Sequence, residues 1–216
     1  MLTVLTLAQS SKHCQHRWAM PTSKAAYHHG DLRSACVNAA MELLEESGET
    51  ALSLRAVARR AGVSPAAPYR HYADREALVS AVAALGYREL AERLAAAHPS
   101  PATSKQLTSV AVAYVQFALE RPALFRIMFG EPCDRDNDER TAATAAVALY
   151  LREIVGRVFP GADAEAMATA TWALVHGLAF LHLDGKLDTT SPALVSQRVS
   201  DAVHALVAAS TVGPPR

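Results

Sequence analysis

From Asp31 onward the apolar residues Leu32, Cys36, Ala39, Ala40, Leu43 and Leu44 recur at the i, i+4, i+7, i+8, i+11 spacing of one helix face. Arg33, Asn38, Glu42, Glu45 and Glu46 take the other face. The same period returns in every long segment as far as residue 209, and nowhere do apolar and polar residues alternate as in a half-buried strand. The pattern confines the chain to an all-α fold. Further helices are predicted at about 102–120, 122–129, 136–158, 163–185 and 191–209, punctuated by Pro122, GEPCDRDND, FPGAD and DTTSP. Half of the 216 residues are apolar, ample for a small helical head and a larger helical body with buried cores.

The most local detail lies between residues 48 and 76. Gly48 closes the first helix in the manner of a left-handed cap. Ser53 is placed to cap a short helix through Arg60, with Leu54, Val57, Ala58 and Ala61 inward. Gly62 turns the chain, Ser64 is a second cap, and Pro65 takes a first helical position, where a missing N–H costs nothing. Pro68 is then the fourth residue of that helix; it forfeits only the bond to the Ser64 carbonyl, so the helix is expected to survive. Asp74 caps a further helix that runs past Leu94 until HPSP breaks it. Two helices joined by a tight glycine-containing turn behind a packing helix form a helix-turn-helix, whose second helix enters the DNA major groove.

The chain carries no net charge and its pI is about 7.1, so a nucleic acid must be met by a local patch. Between Ser53 and Arg75 the charged side chains are Arg55, Arg59, Arg60, Arg70 and Arg75 against Asp74 alone. Glu42, Glu45, Glu46 and Glu49 fall outside that stretch. Charge alone leaves two readings open, a DNA-binding face and a merely solvated one.

Other classes of function find less support. Cys14, Cys36 and Cys133 are odd in number and widely spaced, which argues against a disulfide framework and for a reducing, cytoplasmic setting. The first residues have an apolar start without a basic lead, poor for a secretory signal; residues 1–26 read as a flexible extension, with Met20 as an alternative start. His13, Cys14 and His16 lack a fourth ligand at finger-like spacing. Residues 166–183 run without a charge, long enough to span a bilayer, but read better as a bundle helix buried nearly all round, so no membrane partner is implied. No phosphate loop, nucleophile elbow or zinc-protease helix is present, His176 and His182 are six apart on one helix, and DRDND lacks the glycine and distal glutamate of a calcium loop. The reading is therefore not an enzyme, with no metal and no cofactor.

The run ALSLRAVARRAGVSPAAPYRHYADREALVSAV, from Ala51 to Val82, preceded by YHHGDLRSACVNAAMELL, resembles the tetracycline-repressor-type (TetR) family of bacterial transcription regulators. Trp172, His176 and Gly177 also resemble a subgroup whose C-terminal domain is named for a Trp-His-Gly motif. The resemblance implies a helix-turn-helix DNA-binding domain at 27–74 and a ligand-binding and dimerisation body at 75–216. It implies Ser53 and Arg55 on the DNA backbone or a base edge, Ser64, Pro65, Ala66 and Tyr69 at the groove-facing start of the recognition helix, and His71 and Arg75 on phosphates. Hydroxyls and helix N-termini suit phosphate oxygens, and arginine can pair bidentately with guanine. Tyr72 reads as core beneath the head. Pro68 stands where the family often has leucine, and Arg75 where lysine is frequent. Ala66 and Ala67 offer bases no hydrogen bond, which leaves part of the specificity to Arg55, methyl contacts and DNA shape.

A regulator of this kind is implied to be a homodimer that reads palindromic, double-stranded operator DNA as a repressor. Val195, Val199, Ala202 and Leu206, with Leu194 and Val203, form the expected seam; packing within one subunit is the alternative. Release would come from a small hydrophobic or aromatic inducer held by Tyr114, Phe117, Met128, Phe129, Trp172 and His176, with His176 as a polar handle. The competing reading is an all-α ligand-binding or scaffold protein without operator binding.

Overall fold

The computed structural model describes residues 32–130 and 137–211. The N-terminal extension at 1–26, with His13, Cys14, His16 and Met20, and likewise Cys133, lie outside the described residues. Within them the chain forms α1 (Leu32–Ser47), α2 (Leu54–Arg60), α3 (Arg75–Ala97), α4 (Ser104–Glu120), α5 (Pro122–Gly130), α6 (Asp138–Val158), α7 (Ala164–Leu183) and α8 (Pro192–Thr211), and no strand.

The boundaries follow from local chemistry. Gly48 and Gly62 adopt φ of 75° and 68°, the left-handed region that closes α1 and α2. Ser53 Oγ accepts the Ala56 N–H at 3.1 Å and Asp74 Oδ1 accepts that of Ala77 at 2.8 Å, each satisfying an orphan donor of a helix start. Thr103 and Gln106 form a capping box at α4, and Asn137 and Asp163 cap α6 and α7.

One continuous core runs from Leu32, Val57 and Tyr72 in the head, along Leu78, Val82 and Leu90 of α3, into Phe125, Ile154 and Val199 of the body. α3 is the shared rod: it begins where the head ends and packs against α1, α4, α5 and α6. At Gly86 it meets α5 so closely that a Cβ would lie 2.6 Å from Met128 Sδ and 2.9 Å from Leu124 Cδ1. Ion pairs tie head to body at the surface, Arg33 to Glu139 at 2.7 Å and Arg121 to Glu45 at 2.7 Å.

One expectation needs correction. α7 is long and apolar enough to cross a membrane, yet it is not buried nearly all round. Thr171, Val175, Leu178, Ala179 and His182 face the core, whereas Ala166, Ala170, Ala173 and Leu181 are exposed, with Gly177 half-buried among them. Small residues, rather than enclosure, make this stretch charge-free. On α8, Val195, Val199 and Val203 are buried in the chain's own core, where α8 packs along α4. Ala202 and Leu206 are half-buried beside them, and Leu194 is exposed.

Candidate nucleic-acid interface

The segment expected to be the recognition helix is not an α-helix. Residues 65–67 form a turn, followed by a 3-10 turn at Pro68–Arg70. The cause is Pro68, which has no N–H to offer the Ser64 carbonyl and whose ring crowds it. That carbonyl instead accepts the Ala67 N–H at 2.9 Å, and the Arg70 N–H bonds to Ala67 O at 3.2 Å, so the chain winds in three-residue steps. Pro68 itself is buried. Its carbonyl takes the N–H groups of His71 and Tyr72 at 2.9 and 3.0 Å, and Tyr72 is sealed below, its hydroxyl donating to Arg33 O at 3.1 Å. Burial pushes the Tyr72 phenol up to about 12.

This anchoring turns the neighbouring residues outward. Tyr69 is 53% exposed, and Ser64, Pro65, Ala66, Arg70 and His71 are exposed with it. Ser53 and Arg55, at the start of α2, are also exposed. Apart from Arg75, the residues proposed from sequence to meet DNA thus remain available at the surface.

The arginines divide into two groups. Arg60 is claimed by Glu42 and Glu46, which staple α2 to α1. Arg75 is claimed too: Nε donates to Leu52 O at 3.2 Å and a terminal nitrogen to Glu49 Oε1 at 3.0 Å. It fastens the first residue of α3 to the α1–α2 connection. Arg55, Arg59 and Arg70 enter no ion pair among the described residues and are exposed. They supply the positive face.

In the body, Trp172 and His176 lie one turn apart on α7 and meet the same partner. Trp172 Nε1–H donates to the Tyr114 hydroxyl oxygen at 3.3 Å, and Tyr114 lies 3.0 Å from His176 Nδ1. The Tyr114 hydroxyl thus joins both α7 side chains. Burial lowers the His176 pKa and raises that of Tyr114. Phe129 and Phe180 pack their rings 4.7 and 4.9 Å from the imidazole, with Phe125 beside them.

Two cavities flank this cluster. An inner one of about 40 Å³ is walled by Leu107, Val110, Tyr114, Tyr150, Thr171 and Val175 among others. An outer cleft of about 240 Å³ between α6 and α7 is walled by Tyr87, Phe129, Ala148 and Ala168, with Arg152 and Glu165 paired at 2.6 Å on its rim. Of the residues expected to hold a ligand, Tyr114, Phe129 and Trp172 line one or both. Phe117 and Met128 line neither; both are buried, and Met128 is pressed beneath Gly86. His176 has Nδ1 occupied and lines neither cavity. The α6 wall was missed, although Val147, Tyr150, Leu151 and Ile154 stand at i, i+3, i+4, i+7. Thr171 offered no such signal.

Comparison with known proteins bears on head and body separately. Residues 37–82 match the family described as bacterial regulatory proteins, tetR family, and residues 107–209 match the tetracyclin repressor-like C-terminal domain. The HTH-type transcriptional regulator BetI of Rhizobium meliloti (strain 1021) is 28% identical over 152 residues, 68% of this chain and 75% of that protein. A protein with unknown function from Rhodococcus sp. RHA1 is 32% identical, with TM-score 0.73 over 86% of this chain and 98% of that one. A bacterial regulatory protein in the tetR family from Rhodococcus RHA1 shares the fold at 22% identity, with TM-score 0.62 over 86% and 98% of the two chains.

Proposed function

Because the chain belongs to the TetR family of DNA-binding transcription regulators, which are not enzymes, we propose that it is a repressor acting in the cytoplasm. In this reading a homodimer binds palindromic operator DNA and is released by a small, mainly hydrophobic inducer. The observation that carries it is the exposed surface made by Ser53, Arg55, Ser64, Pro65, Ala66, Tyr69 and His71, with Arg59 and Arg70 unpaired around it. A short turn wound at three residues per turn presents Tyr69 and the Ser64 region to the groove, while phosphate contacts fall to Ser53, Arg55 and His71. Arg75 acts as the clamp that holds α3 to the head.

A single head makes too few contacts for operator affinity, and a two-fold dimer supplies the second at a fixed spacing. The open face of α7, Ala170, Ala173, Gly177 and Leu181, continued by Leu194 and Ala205 of α8, supports a seam there in place of the α8 stripe. The shared bonding of Trp172 and His176 to Tyr114 gives a physical reason for the Trp-His-Gly spacing and supports placing the chain in that subgroup.

Induction is supported by Tyr150, which lines the inner cavity and donates to His98 O at 2.6 Å and Leu94 O at 3.2 Å. Those carbonyls end α3, whose other end starts at the DNA-facing turn. A ligand that displaces Tyr150 therefore loosens the rod that sets the head. Shifting such a two-state equilibrium from 1:99 to 99:1 takes about 5.5 kcal/mol of preferential binding.

Selection of bound sequences from a random double-stranded pool by the purified protein tests the reading. A recovered palindrome occupied by two chains supports it. Absence of any enriched sequence leaves a ligand-binding or scaffold protein.

A further inference from the structure

Where the head meets the body, a cleft of about 380 Å³ opens between α1, α3 and the start of α6, apart from both the DNA-facing turn and the cavities of the body. Ser34 and Asn38 enter it one turn apart on α1, and Ala81, Leu85 and Arg88 enter it from one face of α3. Ser34, Asn38 and Arg88 are exposed, and among the described residues their side chains make no hydrogen bond or ion pair. The other cation of the wall is already engaged, Arg33 with Glu139 at 2.7 Å. Arg88 therefore leaves the cleft one positive charge without a partner. Between these groups Ala81 is buried and Val37 and Leu85 are half-buried, which gives the cleft an apolar floor.

We infer that this cleft binds a small organic monoanion, a carboxylate on a compact hydrocarbon body, with the carboxylate on Arg88 and the hydrocarbon on Val37, Ala81 and Leu85. The guanidinium fork pairs with both oxygens of a carboxylate, and the Ser34 hydroxyl and Asn38 amide add neutral donors beside it. Charge sets the class: one free guanidinium matches one negative charge, and a dianion would bring a second charge that Arg33, held by Glu139, does not meet. Size agrees, because the cleft falls within the range of small-molecule sites, about 300–1,000 Å³. The apolar floor distinguishes an organic anion from a bare inorganic one. Position sets the source. Arg88 stands 13 residues into α3, about 20 Å along the axis from the end that starts at the DNA-facing turn, so a free anion reaches it more readily than an operator phosphate does.

The test follows 4-fluorobenzoate by fluorine NMR on the full chain without DNA, beside 4-fluorobenzamide, the same ring with an uncharged head. The benzoate is expected to bind saturably and at least about tenfold more tightly than the amide. Arg88→Gln, at an exposed position, should weaken the benzoate about tenfold with the melting temperature kept. Glu139→Gln removes the carboxylate that holds Arg33 and should tighten binding severalfold, whereas Arg55→Ala, which lies outside the cleft, should leave it unchanged. Equal affinity for the amide overturns the anionic class. Wild-type affinity in Arg88→Gln, or an equal loss in Arg55→Ala, overturns the site, and unchanged or weaker binding in Glu139→Gln overturns the account of its charge. Operator binding then separates the two sources of an anion. Arg88→Gln should leave the slope of log affinity against log salt in place, and a fall of about one would assign the cleft to the DNA backbone and overturn the free ligand.

Discussion

Gly177→Leu separates the fold of one chain from its pairing with another, because the two should respond with opposite sign. Gly177 sits in the middle of α7 at an ordinary helical position, and a Cβ added there meets nothing within 4 Å. Within a single chain the substitution therefore removes only the backbone-entropy penalty of a mid-helix glycine, a gain of about 0.8–1 kcal/mol. For a chain of this size that raises the melting temperature by about 2–4 °C. In a dimer sealed along α7, the same leucine enters from both subunits between helices brought close by Ala170 and Ala173. Overpacking costs about 1–3 kcal/mol per copy, so the dimer constant should weaken by about thirtyfold or more. Sedimentation velocity over a range of concentrations reads the association. Thermal melts at dilutions where both proteins are monomeric read the fold. A leucine variant that dimerises like the wild type refutes a seam on this face, and one that melts lower as a monomer refutes the open space around Gly177.

Three further outcomes follow from the same geometry. Tyr69→Ala should weaken operator binding by about 1–3 kcal/mol in a titration monitored by anisotropy, with sedimentation unchanged, since the side chain is exposed and supports no core. Pro68→Ala restores an N–H for the Ser64 carbonyl; a gain of helical signal in circular dichroism and a shifted set of selected sequences are expected, and identical preferences would detach the 3-10 turn from readout. Burial holds the His176 pKa below 6.5, and His182 shares that direction, so the unfolded chain takes up protons first as pH falls. Stability is intact above about pH 6.5 and declines from there toward the lowered folded values; urea midpoints at pH 7.5 and 5 should show the drop, and His176→Gln should reduce it.

Helix order, caps and turns were legible because each rests on neighbouring residues: Gly48, Ser53, Gly62 and Asp74 do what their types do in that position. Pro68 was legible as a lost bond but not as a buried anchor, because burial depends on Tyr72 and α1 closing over it. The sums of charge do not show how each arginine is employed. Arg60 and Arg75 find glutamates 14 to 26 residues away in sequence, a distance only the fold can bring together, whereas Arg55, Arg59 and Arg70 find none. The α8 stripe reads equally well as seam or as core, since periodicity reports a buried face without saying what buries it. The same ambiguity hid the open face of α7. In the cavity, aromatic residues drew attention to α4, α5 and α7, while the aliphatic α6 wall and Thr171 became visible only once the helices were packed.

The decisive measurement is the salt dependence of operator affinity in the wild type, Arg55→Ala and Arg60→Ala, on a sequence recovered by selection. Each phosphate contact contributes about 0.9 to the slope of log affinity against log salt. Arg55 is exposed and unpaired at the start of α2, and Arg60 is held by Glu42 and Glu46, so Arg55→Ala should lower the slope by about one and Arg60→Ala should leave it in place. Equal slopes in all three proteins, or a loss confined to Arg60→Ala, would contradict the assignment of this face of the head to DNA.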